Sequence, residues 1–416
     1  MRVAVIADDL TGAADAGVQF ARAGHRTAVA FAGAPLPPAA DLDVVVADTD
    51  SRMLGPEEAA ACVRTVAHSL MRAPLVFKKL DSTLRGPVAA EVRAALEGSG
   101  RRAAVVAPAF PAGGRTTRGG VQHVDGRPVD ATAFRDDPGR PVREADVRRL
   151  LAAAGAGPVA LLSRADLGDP ARIAAAVRAH AYVVADAEDD ADLAALVRGV
   201  PDPADVLWVG SAGLAGALAA CHPGPQPPAP CSAARAMSGA PVLAAIGSAH
   251  PATTAQVARL AARSDVAEVP LSVDLLARGD HAEAVAAVVE DAARALAHGR
   301  SVVVHMAAAP GPPRHADLAD HIPRALAAVA ERLAAAAELG GLVLSGGETA
   351  VCVGRALGAR GLLLDEELEP GVPVGRLLGP RPFRVVTKAG GFGGPDTLVR
   401  AVEVLGGRVA TTVGAA

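Results

Sequence analysis

Val3-Ala4-Val5-Ile6-Ala7-Asp8-Asp9-Leu10-Thr11-Gly12-Ala13 opens the chain with an apolar run that breaks at two acids and passes into a small-residue stretch of helical character. A short, continuous apolar run suits a strand covered on both faces, and such strands belong to parallel sheets with crossover helices. The pattern returns at 44–47, 75–79, 103–107, 159–162, 182–185 and 206–209, with helix-like segments at 13–23, 56–72, 88–96 and 170–180 between. A Pro-rich stretch, His222-Pro223-Gly224-Pro225-Gln226-Pro227-Pro228-Ala229-Pro230, can neither continue a helix nor lie inside a sheet. Beyond it the alternation restarts, with strands at 242–246, 302–305, 342–344 and 384–387 and helices at 253–263, 282–297, 323–337 and 349–357. The expectation is an α/β protein of two domains, 1–222 and 241–416, joined by a linker at 223–240, each with a largely parallel sheet flanked by helices. The Gly/Arg/Thr-rich stretch 113–137 reads as a long loop or a small hairpin excursion.

Composition narrows the partners. A net charge of −4 with 2% aromatic residues argues against nucleic acid, which calls for a basic face and stacking rings. Hydrophobic residues make up 51% of the chain, but much of that is alanine, and no apolar run reaches the roughly 18 residues that span a bilayer. Cys62, Cys221, Cys231 and Cys352 lack CxxC or Cys/His spacing, so neither a zinc site nor a disulfide framework is suggested. Idle thiols in a reducing cytoplasm and a small-molecule partner fit better. Homodimerisation is expected on base rate alone.

In open α/β sheets ligands bind beyond the carboxyl ends of the strands, which makes the residues after each apolar run informative. In the first half these are Asp8-Asp9-Leu10-Thr11-Gly12, Asp48-Thr49-Asp50-Ser51-Arg52 and Lys79-Leu80-Asp81-Ser82-Thr83-Leu84-Arg85-Gly86. Any one such Asp serves as a helix cap, but three acidic-hydroxyl clusters, two carrying cations, exceed what capping requires. Arg52, Lys79 and Arg85 are suited to hold a carboxylate, and Asp9 and Asp81 to accept hydrogen bonds from hydroxyls, a mixture that describes a hydroxy acid or sugar acid.

The second half is glycine-rich at the corresponding places: Ser345-Gly346-Gly347-Glu348-Thr349, Lys388-Ala389-Gly390-Gly391-Phe392-Gly393-Gly394 and, more weakly, Ile246-Gly247-Ser248-Ala249-His250. A glycine turn that opens a helix presents backbone N–H groups at the positive end of the helix dipole, which cradles phosphate. Only three lysines, Lys78, Lys79 and Lys388, occur among 41 lysines and arginines, and all stand where an apolar run breaks into a polar turn. A compact ammonium there suits phosphate or carboxylate. Neither a GxxxxGK[ST] loop nor GxGxxG is present, which disfavours a dinucleotide oxidoreductase. Gly213-Leu214-Ala215 reads as the start of a packed helix.

In this order the motifs resemble the four-carbon acid sugar kinase family, whose members phosphorylate tetronates or 3-oxo-tetronates at the terminal hydroxyl with ATP. The resemblance covers essentially the whole chain and rests on Ile6–Ala13, Asp48–Arg52, Lys78–Gly86, Ser345–Thr349 and Lys388–Gly393. It implies an acid-sugar-binding N-terminal domain, an ATP-binding C-terminal domain and an active site in the interdomain cleft. Carried over by motif, Asp8, Asp9, Arg52 and the Asp81-Ser82-Thr83 turn contact the sugar acid, while Ser248, Gly346, Gly347, Glu348, Thr349, Gly390, Gly391 and Gly393 line the nucleotide. Lys388 neutralises phosphate charge, Mg²⁺ accompanies the phosphates, and either Asp9 or Asp81 orients and deprotonates the attacking hydroxyl, with Asp81 favoured by its flanking Lys79 and Arg85. Lys388-Ala389-Gly390-Gly391-Phe392-Gly393 is closer to threonate or erythronate kinases than to 3-oxo-tetronate kinases, although Pro87 departs from the family pattern. The rival of another class is a sugar-acid sensor that binds without turnover.

Overall fold

The computed structural model describes residues 1–137, 139–153, 155, 157–225, 239–306 and 318–406. The expected linker lies outside the described residues over 226–238, as does Cys231. The chain divides into two compact units, Met1–Pro228 and Ala229–Ala416.

In chain order the first unit runs β1 Val3–Ala7, α1 Leu10–Arg22, β2 Thr27–Ala30, β3 Val44–Asp48, α2 Pro56–Leu70, β4 Leu75–Lys79, α3 Val88–Ser99 and β5 Ala103–Ala107. It continues with β6 Arg115–Arg118, β7 Val121–Val124, β8 Arg127–Pro128, α4 Val147–Ala153, β9 Val159–Leu162, α5 Pro170–Ala179, β10 Tyr182–Ala185, α6 Asp190–Gly199, β11 Val206–Gly210 and α7 Ala212–Cys221. Its main sheet has the order β2-β3-β1-β4-β11-β5-β10-β9, and every pairing in that order is parallel. All five residues of β1, β3, β4, β5 and β11 are buried, as the unbroken apolar runs require of strands covered on both faces. The core beside them holds Val63, Val76, Val92, Val106 and Leu207, among others.

β1 pairs with β3 on one side and β4 on the other, with Ala7 opposite both Asp48 and Lys79. The three polar clusters of the first half therefore leave the sheet side by side at one edge. The stretch expected to be a loop or hairpin is a separate three-stranded antiparallel sheet, β6-β7-β8. Its strands are short and polar, so no apolar alternation announced them.

The second unit runs β12 Val242–Ile246, α8 Pro251–Ala261, β13 Val266–Leu271, α9 Val273–Arg278, α10 His281–Ala297, β14 Ser301–Met306, α11 Leu318–Ala336 and β15 Gly341–Ser345. After these come α12 Gly347–Ala356, β16 Gly361–Glu369, β17 Val372–Leu377, β18 Arg384–Lys388 and α13 Thr397–Gly406. The sheet order is β13-β14-β12-β15-β18-β17-β16. It is parallel through β18 and antiparallel beyond, where β16 and β17 form a hairpin that the sequence reading did not include. Ile246 stands opposite Ser345, and Ser345 opposite Lys388, so the three glycine turns also leave adjacent strands at one edge. The helix expected over 323–337 begins earlier, at Leu318, so that Pro323 lies inside α11.

Candidate active site

In the first unit Asp9 caps α1: its Oδ1 accepts the Gly12 N–H at 2.9 Å and its Oδ2 the Thr11 hydroxyl at 2.5 Å. A Cβ on Gly12 would stand 2.5 Å from Asp9 Oδ1 and 2.8 Å from Lys79 Nζ, so glycine leaves room for both groups over the helix start. Arg52 donates from both terminal nitrogens to Asp9, each at 2.7 Å, and from Nε to Asp8 at 2.7 Å. Burial works to raise the Asp8 pKa, but the charges of Arg52, Lys78 and Lys79 outweigh it and hold the carboxyl below its ordinary value. Asp8 Oδ1 is buried without a hydrogen-bond partner among the described residues.

Asp81 accepts from Arg85 Nε at 2.7 Å, from Arg85 Nη2 at 3.2 Å and from the Thr83 hydroxyl. Burial again opposes ionisation, yet Arg85, Arg52 and these hydrogen bonds pull its pKa far below the carboxylate range. The turn is held from its other side by Gln122 of β7, whose Nε2 donates to Ser82 O at 2.7 Å. The Arg85 guanidinium carbon lies 5.4 Å from the centre of the Phe134 ring.

The cations thus differ in what they have to offer. Arg52 and Arg85 are engaged by carboxylates. Lys79 Nζ donates to Leu80 O at 2.8 Å and has no carboxylate in ion-pair range among the described residues. Lys78 is fully buried and pairs with Glu91 of α3 at 2.8 Å, while the other Glu91 oxygen accepts the Ser51 hydroxyl at 2.6 Å. This network ties the strand to the loop that carries Arg52. Sequence reading passed over Glu91, although an acid among the small apolar residues of the first turn of α3 was the available signal. Asp48 was also unassigned; burial, with Asp9, Asp50 and Asp8 nearby, pushes its pKa well above the ordinary value against the opposing hydrogen bond from Asp50 N–H.

In the second unit Gly346 precedes α12 at φ +105°, a conformation that favours glycine, and supplies no side-chain cap to the helix start. Gly346 N–H donates to Lys388 O at 3.0 Å and Gly247 N–H to Ser345 O at 3.0 Å, locking neighbouring turns together. Gly390 lies so close to Ser248 Oγ that a Cβ would collide with it, and a Cβ on Gly391 would meet His250 Nε2 at 3.3 Å. Thr349 is buried, with its hydroxyl against Gly247. Gly393 turns at φ +84° against Thr397. The expected residues of both halves are therefore gathered at strand ends within their own units.

Lys388 is 1% exposed and donates to Thr253 Oγ1 at 2.9 Å and Gly390 O at 3.3 Å. No carboxylate lies in ion-pair range of it among the described residues, and burial, only partly offset by Glu369, lowers its pKa to about 8. A buried ammonium without a counter-ion beneath a glycine turn fits an incoming anion. Ser345 Oγ, on the adjacent strand, is buried and has no hydrogen-bond partner among the described residues.

Fold and sites define a two-unit α/β protein with a charged, hydroxyl-rich strand-end site in one unit and a glycine-turn site in the other. A family model described as a sugar-binding N-terminal domain matches residues 3–218, and one described as a nucleotide-binding C-terminal domain matches residues 243–398. A D-threonate kinase of Bordetella bronchiseptica is 38% identical over 414 residues, covering 97% of each chain. A D-threonate kinase of Cupriavidus necator is 39% identical, covering 96% of this chain and 97% of its own. A solved Salmonella typhimurium LT2 protein shares the fold with a TM-score of 0.80 at 24% identity, over 96% of this chain and 98% of its own. The chain belongs to the four-carbon acid sugar kinase family.

Proposed function

We propose that the chain transfers a phosphoryl group from ATP to the terminal 4-hydroxyl of a four-carbon acid sugar, threonate or erythronate, with the acid sugar held by the first unit and the nucleotide by the second. The observation that supports this reading is the division of labour between the strand-end sites. One gathers carboxylates, hydroxyls and cations, and the other sets glycine turns over a counter-ion-less Lys388. Curated relatives named D-threonate kinase and D-erythronate kinase span nearly the whole chain.

Phosphoryl transfer asks a protein mainly for positioning and charge neutralisation. Lys79 meets the substrate carboxylate with its remaining ammonium donors, and Arg52 contributes by exchanging part of its grip on Asp9. Asp9 and Asp81 orient the substrate hydroxyls, with the Ser82 and Thr83 hydroxyls beside them. In the second unit the turns at Ser248, Gly346–Thr349 and Gly390–Gly393 receive the phosphates, and Lys388 regains a counter-ion. Mg²⁺ accompanies the triphosphate. The described residues contain no group of three or more His, Cys, Asp or Glu placed to hold a metal, which suits an ion carried mainly by phosphate oxygens and water.

The test is ADP release with D-threonate, D-erythronate and 3-oxo-tetronates in the presence of MgATP. Turnover with a tetronate supports the proposal, and preference for a 3-oxo-tetronate would shift the substrate. Binding of an acid sugar without ADP release from any of them would favour the sensor.

A further inference from the structure

The turn after β18 has its carbonyl oxygens bound from one side. Thr253 Oγ1 donates to Gly390 O at 2.7 Å, and Gln256 Nε2 lies 3.2, 3.2 and 2.9 Å from the carbonyl oxygens of Phe392, Gly393 and Gly394. The two residues stand three apart on α8, hence on one helix face, and both are buried. Gln256 Oε1 has no partner among the described residues, so the donors of this side chain are what the packing uses.

The consequence follows from peptide geometry. In a trans peptide the C=O of one residue and the N–H of the next point in opposite directions. Binding Gly390 O toward α8 turns the Gly391 N–H away from it, and binding Phe392 O does the same for the Gly393 N–H. Neither N–H has a partner among the described residues. The next one in the series, Gly394 N–H, is taken by Glu369 at 2.9 Å.

We infer that Gln256, together with Thr253, is a positioning residue for the phosphate chain: α8 holds the carbonyls inward so that the Gly391 and Gly393 N–H groups face the anion. Neither residue touches the nucleotide in this scheme; Gln256 acts through the turn, and Thr253 acts through the turn and through Lys388, whose ammonium donates to its hydroxyl at 2.9 Å. The inference rests on the nucleotide reading of the second unit.

The experiment compares ADP and adenosine binding by calorimetry, and KM for ATP and D-threonate, in wild type, Gln256→Glu, Gln256→Met, Thr253→Val and Thr253→Ser. Gln256→Glu replaces the donors with a carboxylate facing carbonyl oxygens, and Thr253→Val removes the hydroxyl at nearly constant volume. Both should raise the ADP Kd and the ATP KM by about ten-fold or more, with adenosine affinity and the KM for D-threonate unchanged and Thr253→Ser restoring binding. Gln256→Met should share the ADP defect, and it serves in place of Gln256→Glu if that variant does not fold. Unchanged ADP affinity in Gln256→Met and Thr253→Val overturns the inference, as does an equal loss for adenosine and ADP, which marks a merely structural role. Wild-type protein that binds no ADP removes the nucleotide reading itself.

Discussion

Arg52 grips Asp9 with both terminal nitrogens, each 2.7 Å from a different carboxylate oxygen, while its Nε reaches Asp8 at 2.7 Å. A planar guanidinium spreads these bonds over three nitrogens in a fixed fork, whereas an ammonium carries its donors on one atom, so lysine is not a conservative replacement here. Arg52→Lys removes the side-chain donor of buried Asp8 and leaves Asp9 with only those of Gly12 and Thr11. We expect kcat/KM for the acid sugar to fall on the order of 10²–10³-fold, with ADP affinity unchanged. Kinetics at saturating ATP test this, and wild-type kcat/KM in the variant would remove Arg52 from the site.

Asp81 is held ionised by Arg85, Arg52 and Thr83 against the effect of its burial. Its folded pKa is depressed, so the stability it contributes is present above the ordinary value of 3.8 and is lost only as pH falls through the lower folded value. An acceptor this weak orients a hydroxyl better than it takes a proton. Asp81→Asn should therefore raise the acid-sugar KM about ten-fold or more. A fall of about 10²–10⁴-fold in kcat alone, with KM unchanged, would identify it as the general base.

Asp48 presents the opposite case, with its proton held by burial and by neighbouring acids. A carboxyl whose folded pKa is raised contributes most at pH below its ordinary 3.8, and that contribution is lost as pH rises toward the folded value. Asparagine does not titrate, and its Oδ1 keeps the hydrogen bond that Asp50 N–H makes at 2.9 Å. Asp48→Asn should match wild type in acid and melt higher at neutral pH, the gap widening as pH rises. Parallel Tm curves across pH would contradict the assignment.

Lys388 adds a proton linkage to nucleotide binding. Its folded pKa lies at about 8 against an ordinary 10.5. The destabilisation is full below about 8, where the buried amine must carry charge, and fades as pH rises toward 10.5. A bound polyphosphate restores the charge, so ADP binding near pH 9, roughly midway between these values, should take up a proton. Calorimetry in buffers of different ionisation enthalpy measures the uptake. Lys388→Met should abolish it and weaken ADP binding about ten-fold or more, while acid-sugar binding stays intact.

Much of this was legible before any coordinates. Apolar runs ending in Asp8-Asp9, Asp48–Arg52 and Lys79–Gly86 marked strand ends, and the glycine turns after Leu344 and Thr387 marked another set. Thr27–Ala30 escaped notice because four small residues carry little periodic signal, and the β16–β17 hairpin because Gly361–Glu369 mixes apolar and acidic residues. Gln256 falls within the helix expected at 253–263, where nothing in the sequence singled it out.

The order of elements and the chemistry offered at each strand end are set by neighbours along the chain, so the sequence alone determined them. Which of those groups are already spoken for was decided only by tertiary structure. Lys78 and Glu91 lie on different elements, and Arg52 and Asp9, like Gln256 and the Phe392–Gly394 carbonyls, are far apart in sequence; each set meets only because the fold packs those elements side by side. A charge or donor is available to a ligand only where that packing has left it unsatisfied.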